Sequence, residues 1–135
     1  MSMHISLDDA QAMVERARAY AEEIAVPMNI AVVDGGGHLI AFARMDRAIR
    51  GSIDIALAKA KTSILFNNPS ENLWEFCKPS GPAPATEYTN GGLIPYAGGV
   101  PLSDADGVLI GAIGVSGGLP VQDGEVARAG LSGRG

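Results

Sequence analysis

Cysteine is almost absent: Cys77 is the single one in 135 residues, so no internal disulfide can staple the chain. Histidine is scarce too, with only His4 and His38. No set of residues has the spacing of a metal cluster, so no metal site is expected. Basic residues are the minority, 10 Lys and Arg against 15 Asp and Glu, for a net charge of -5 and a pI near 4.8. No Lys/Arg run overrides that average, and the balance opposes a nucleic-acid phosphate backbone. No apolar run reaches the roughly 18 residues a membrane span needs, and no positively charged start with an apolar stretch precedes the first helical pattern. A cytoplasmic protein that binds neither nucleic acid nor membrane is expected.

What is present is apolar. Hydrophobic residues make up 47% and charged ones 19%, with mean hydropathy +0.16. Such a composition excludes a disordered chain and requires extensive burial, some of it between subunits, so a homo-oligomer is expected. The length suits one domain over residues 1–135. The 18 glycines cluster at 35–37, 91–92, 98–99, 111–118 and 130–135, marking turns and close backbone approaches.

The chain is organised around Ile30 to Met45, two aliphatic runs flanking Gly35-Gly36-Gly37. A dinucleotide-binding loop needs a helix after its glycines, whereas Leu39 to Ala43 is short and suited to a returning strand, so the stretch reads as a hairpin. Before it, Ser6-Leu7-Asp8-Asp9 starts a helix with one apolar face, which Pro27 stops. After it, Ser52 caps a second helix running to about Phe66 that is apolar on more than one side. Asn67-Asn68-Pro69 ends that helix, and a short third one follows from Ser70 to Phe76. Lys78 to Gly92, with three prolines, reads as a loop over the surface. Short strands are expected at Leu93–Tyr96 and Gly99–Leu102, then a turn at Asp104–Gly107, a strand from Val108 to Val115, and a closing helix from about Val121 to Leu131. Ser132 to Gly135 reads as a frayed tail. Neighbouring strands joined by turns give an antiparallel sheet covered by helices, an α+β fold.

Several residues can carry chemistry. His38, following Asp34 in a turn, is a base or metal ligand, or else an exposed turn residue. Arg44, with Asp46, Arg47 and Arg50 nearby, forms a basic cluster in an acidic chain; it either holds a carboxylate through bidentate bonds or makes a structural network. Lys59 and Lys61 fall on different helical faces. A buried Lys59 needs an acidic partner or ligand, whereas a rim Lys59 only buries its stem. Glu87 and Tyr88 are an acid/base pair if their loop folds over a pocket, and otherwise surface residues. Gly117 and Gly118 precede a helix, where backbone N–H groups can receive an anion or simply permit close packing. Cys77 is a free thiol or a nucleophile, and Trp74 and Phe76 line a pocket or pack.

The runs Ala31–Leu39, Arg44-Met45-Asp46, Lys59-Ala60-Lys61, Gly98-Gly99-Val100-Pro101 and Gly111–Gly118 with Gln122-Asp123, taken in this order, resemble the GlcG/HbpS-like family from about Ile5 to Leu131. The resemblance implies a profilin-like antiparallel five-stranded sheet flanked by helices, and assembly into homo-oligomers. Some relatives bind haem or occur beside corrinoid chemistry, and many sit in catabolic operons. The function expected is a small-molecule-binding accessory protein of catabolism that accepts haem, another tetrapyrrole, or an anionic aromatic or carboxylated metabolite. Arg44, Lys59, Gly117 and Gly118 would hold acidic groups while Tyr88 and Tyr96 line the pocket. Two alternatives stand beside it. One is a cofactor-free enzyme in which Glu87, Tyr88 or His38 moves protons on a carboxylated intermediate. The other is a purely structural partner subunit.

Overall fold

The structure, a computed structural model, describes residues 5–132, so His4 and the tail residues 133–135 lie outside it. Helix α1 spans Leu7–Glu23, and Ser6 caps it, its Oγ accepting the Asp9 N–H at 3.1 Å. The apolar stripe Ala10, Met13, Val14, Ala17, Ala21 is buried, as its three- and four-residue spacing demands. Strands β1 (Asn29–Asp34) and β2 (Leu39–Arg44) form the expected hairpin. Its turn is closed by the Asp34 carboxylate, whose Oδ1 accepts from Gly36 N and His38 N, both at 2.9 Å. Of the three turn glycines only Gly37 takes positive φ, +85°. Helix α2 is Ser52–Phe66. Ser52 is its buried first residue and not its cap: Gly51 holds that place without a side-chain bond.

The expected third helix splits into a 3-10 segment, Ser70–Leu73, and a short helix α3, Trp74–Cys77. Ser70 is drawn away from capping, because its Oγ accepts from Gly99 N at 2.9 Å and donates to Tyr96 O at 2.7 Å. Strands β3 (Gly99–Ser103) and β4 (Leu109–Ser116) and helix α4 (Pro120–Leu131) complete the chain.

Among the described residues the sheet has four strands, all antiparallel, in the order β2-β1-β4-β3. The fold is therefore α+β as expected, but the fifth strand is a correction. Leu93–Tyr96 does not pair: Leu93 N donates to Glu87 O, Ile94 N donates to Thr62 Oγ1 at 3.0 Å, and Pro95 has no N–H. Donors engaged by a loop and a helix side chain cannot build a ladder.

Helices α1 and α4 cover one face of the sheet and α2 the other. Ile30 and Val32 of β1 and Ile113 and Val115 of β4 join Met13, Ala17 and Val126 in the main core. The opposite face is built of small residues. Ala31, Gly114 and Gly99 lie in one register row across β1, β4 and β3, and α2 seats on it, closing a smaller core of Val33, Ala60, Ile64 and Ala112. No helix of the described residues is long and apolar enough to cross a membrane.

Candidate ligand-binding site

Lys59, in the middle of α2, has no exposed surface. Its Nζ donates to Asp123 Oδ2 at 2.8 Å and to Val115 O at 3.0 Å, and lies 5.2 Å from the Tyr96 ring centroid. Asp123, in the first turn of α4, is also buried, and its Oδ1 accepts the Gly118 N–H at 2.8 Å. Burial holds the Lys59 ammonium below its usual range, opposed by its bond and attraction to Asp123 and by Glu71. Burial likewise raises the Asp123 carboxyl, opposed by Lys59 and by the Gly118 and Gly117 amides. Each charge is tolerated because the other is there.

The structure thus brings Lys59, Tyr96, Gly117 and Gly118 to one place, with the chain's own Asp123 at the Gly118 amide. The glycine turn has a second neighbour. A Cβ on Gly117 would lie 2.6 Å from Pro27 O, and one on Gly118 would lie 3.1 Å from Val26 Cγ1. Val26 and Pro27 are part of the wall of a cleft of about 780 Å³ between the end of α1 and the end of β2. Arg18, Arg44 and Arg47 line it together with Glu22 and Asp46, and Met45 extends its apolar side. Arg18 is engaged by Glu15 and Glu22, both at 2.7 Å. Arg44 and Arg47 are exposed and make no ion pair among the described residues. Two guanidinium groups outside any ion pair can take a carboxylate in fork geometry, in competition with the neighbouring Asp46.

The remaining candidates are not assembled. His38 is exposed at the β1–β2 turn with Nδ1 3.3 Å from Asp34 Oδ1. Glu87 lies in the 3-10 turn Thr86–Tyr88, half-buried beside Cys77, while Tyr88 next to it is 81% exposed. No hydrogen bond or ion pair joins His38 to either. Lys61, on the other helical face from Lys59, donates to Asn90 O and ties the long loop to α2. Among the described residues no three His, Cys, Asp or Glu groups converge as a metal site.

Cys77 is 1% exposed, and burial followed by the Glu87 charge pushes its thiol up from the usual range. It should resist iodoacetamide at pH 8 in the folded chain and react fully in urea, a contrast read by mass spectrometry. Full alkylation of the folded chain would show that this part of the structure opens readily.

Sequence reasoning missed Asp123 as the partner of Lys59, and it missed Arg18, which lies on the polar face of α1. The signal for Asp123 was its place in the first turn of a helix behind two glycines, where a carboxylate can fold back on free amides.

A four-stranded antiparallel sheet with α2 on one side and α1 and α4 on the other is the frame of an α+β domain. Residues 5–132 match the family described as "Haem degrading protein HbpS-like", and the chain belongs to it. An uncharacterized 15.0 kDa protein in the dhaT-dhaS intergenic region of Citrobacter freundii is 35% identical over 128 residues, 94% of this chain and 89% of that protein. The crystal structure of a PduOC:heme complex is similar with a TM-score of 0.91 at 28% identity, covering 96% of this chain and 94% of that one. The crystal structure of HbpS gives a TM-score of 0.90 at 32% identity, covering 100% and 93%.

Proposed function

We propose that this chain is a small-molecule-binding accessory protein whose ligand is haem or another planar, carboxylate-bearing molecule held in the arginine cleft. The observation that carries this reading is the pair Arg44 and Arg47, which form no ion pair among the described residues although Asp46 lines the same cleft of about 780 Å³. That size is within the range of small-molecule sites. The PduOC:heme complex, similar over nearly the whole chain, supports haem within this class.

The residues present fit such a group. Arg44 and Arg47 would take propionate carboxylates, Val26 and Pro27 would face the macrocycle, and Met45 offers the sulfur donor. Its Sδ now accepts the Met28 N–H at 3.3 Å. Bound haem would supply a redox-active iron. Lys59 and Asp123 contribute at one remove, fixing the Gly117–Gly118 turn against the Val26–Pro27 wall. In the same reading the protein is a cytoplasmic homo-oligomer serving a catabolic pathway. Support for assembly comes from edge strand β2, which leaves Leu39 54% exposed and Phe42 half-buried.

Haemin titration followed by absorption tests the proposal. A saturable Soret shift is expected at one site per subunit or per dimer, with Arg44→Ala and Arg47→Ala each weakening binding about tenfold, as loss of a charged hydrogen bond predicts. His38→Ala should leave the spectrum unchanged and Met45→Leu should alter it. Unsaturable absorption, or arginine variants that bind as well as the parent, would overturn it.

A further inference from the structure

A second groove, of about 870 Å³, lies between the Ser70–Leu73 turn with α3, the Pro95–Ala97 segment and the start of α4. Its walls are aromatic, with Trp74 44% and Tyr96 41% exposed, and Pro120 and Val121 complete the apolar surface. Large aromatic faces held open to water need a reason.

The charges around it have a definite balance. Among the described residues Arg128 is the only cation lining the groove, and its charge is balanced by Glu71, Nη2 to Oε2 at 3.1 Å. Lys59, behind the Tyr96 ring, is consumed by Asp123. Among the described residues Glu125 is exposed and makes no ion pair, and the second oxygen of Glu71 is buried with no donor. A carboxylate entering here meets a guanidinium whose charge Glu71 already balances, and one surplus negative charge. An ammonium meets aromatic faces, which attract cations through the ring quadrupole, and a carboxylate free to pair with it.

We infer that this groove binds a small organic cation, an ammonium carried on an apolar or aromatic body, seated against Trp74 and Tyr96 with its charge toward Glu125. The site has different residues and the opposite charge preference from the arginine cleft, and it stands whether or not haem is the ligand there.

Trp74 is the only tryptophan of the chain, so its fluorescence reports this groove alone among the clefts. The experiment titrates the full-length protein with benzyltrimethylammonium and, separately, with phenylacetate, reading Trp74 emission and amide chemical shifts. The ammonium should quench emission saturably and shift amides near Tyr96 and Val121. Phenylacetate should fail to saturate at a hundredfold higher concentration. Glu125→Gln, which removes no structural contact, should weaken the ammonium three- to tenfold. Phenylacetate binding as tightly as the ammonium, or indifference to Glu125→Gln, would overturn the inference. So would saturation by neither probe, the outcome when a second copy of the chain fills the groove.

Discussion

Lys59→Met is expected to lower the unfolding free energy by about 3–5 kcal/mol, the range for breaking one side of a buried ion pair. Methionine fills the space of the lysine stem and cannot answer Asp123, which would remain 2% exposed with one oxygen unpartnered. The Val115 carbonyl would lose its bond as well. The loss is large against the 5–15 kcal/mol typical of a domain. Asp123→Asn should cost a similar amount, because a neutral amide leaves the Lys59 ammonium buried without its counter-charge. The double variant Lys59→Met/Asp123→Asn should lose clearly less than the sum, since neither charge then remains and Asn can still accept the Gly118 amide. Urea denaturation of the four proteins gives the coupling directly. Simple additivity of the two single losses, or a Lys59→Met cost below 1 kcal/mol, would show that the pair is not what holds α2 to the start of α4.

The parts of this arrangement that rest on local chemistry were legible in the sequence. Ser6 was read as a cap and is one; the Asp34 turn with its glycines was read as a hairpin and is one. The end of α2 at Phe66 followed from Asn67, which adopts a left-handed conformation there. Other parts depend on contacts far apart in the chain. That a buried Lys59 must have an acid could be stated in advance, but which acid could not, because Asp123 lies 64 residues away and meets it only through the order of β4 and α4. Leu93–Tyr96 carries a strand-like pattern, and what removes it from the sheet is a hydroxyl on α2, Thr62, that no periodicity reveals. The expected single site also separates in space. Arg44 sits at the end of an edge strand beside α1, whereas Tyr96 is in the groove beside α4. Residue type put an anion contact at Arg44 and a pocket wall at Tyr96 into one site, and only the distribution of charges and contacts in space separates them.

Gly114→Ala is expected to be among the most damaging single-methyl changes in the described residues, costing about 3 kcal/mol at the upper end of overpacking effects. A Cβ at this position would lie 2.1 Å from Ala56 O and 2.6 Å from Ala60 N. Both are backbone atoms of α2, so no rotamer change relieves the clash, and the helix must lift from the sheet. The lifting would propagate, because Gly99 in the same register row is held as tightly, with its Cβ position 2.2 Å from Lys59 O. Moving α2 outward therefore also draws Lys59 away from Asp123, joining this effect to the buried ion pair. Gly51→Ala is the opposite case. Gly51 has ordinary helical angles, φ -60° and ψ -24°, with nothing within 4 Å of the added methyl, so reduced freedom of the unfolded chain should stabilise the protein by about 0.4–1 kcal/mol. Thermal or urea melts of both variants make the comparison. A Gly114→Ala protein as stable as Gly51→Ala would mean that α2 does not rest on the glycine row, and the seating of Lys59 over β4 would need another explanation.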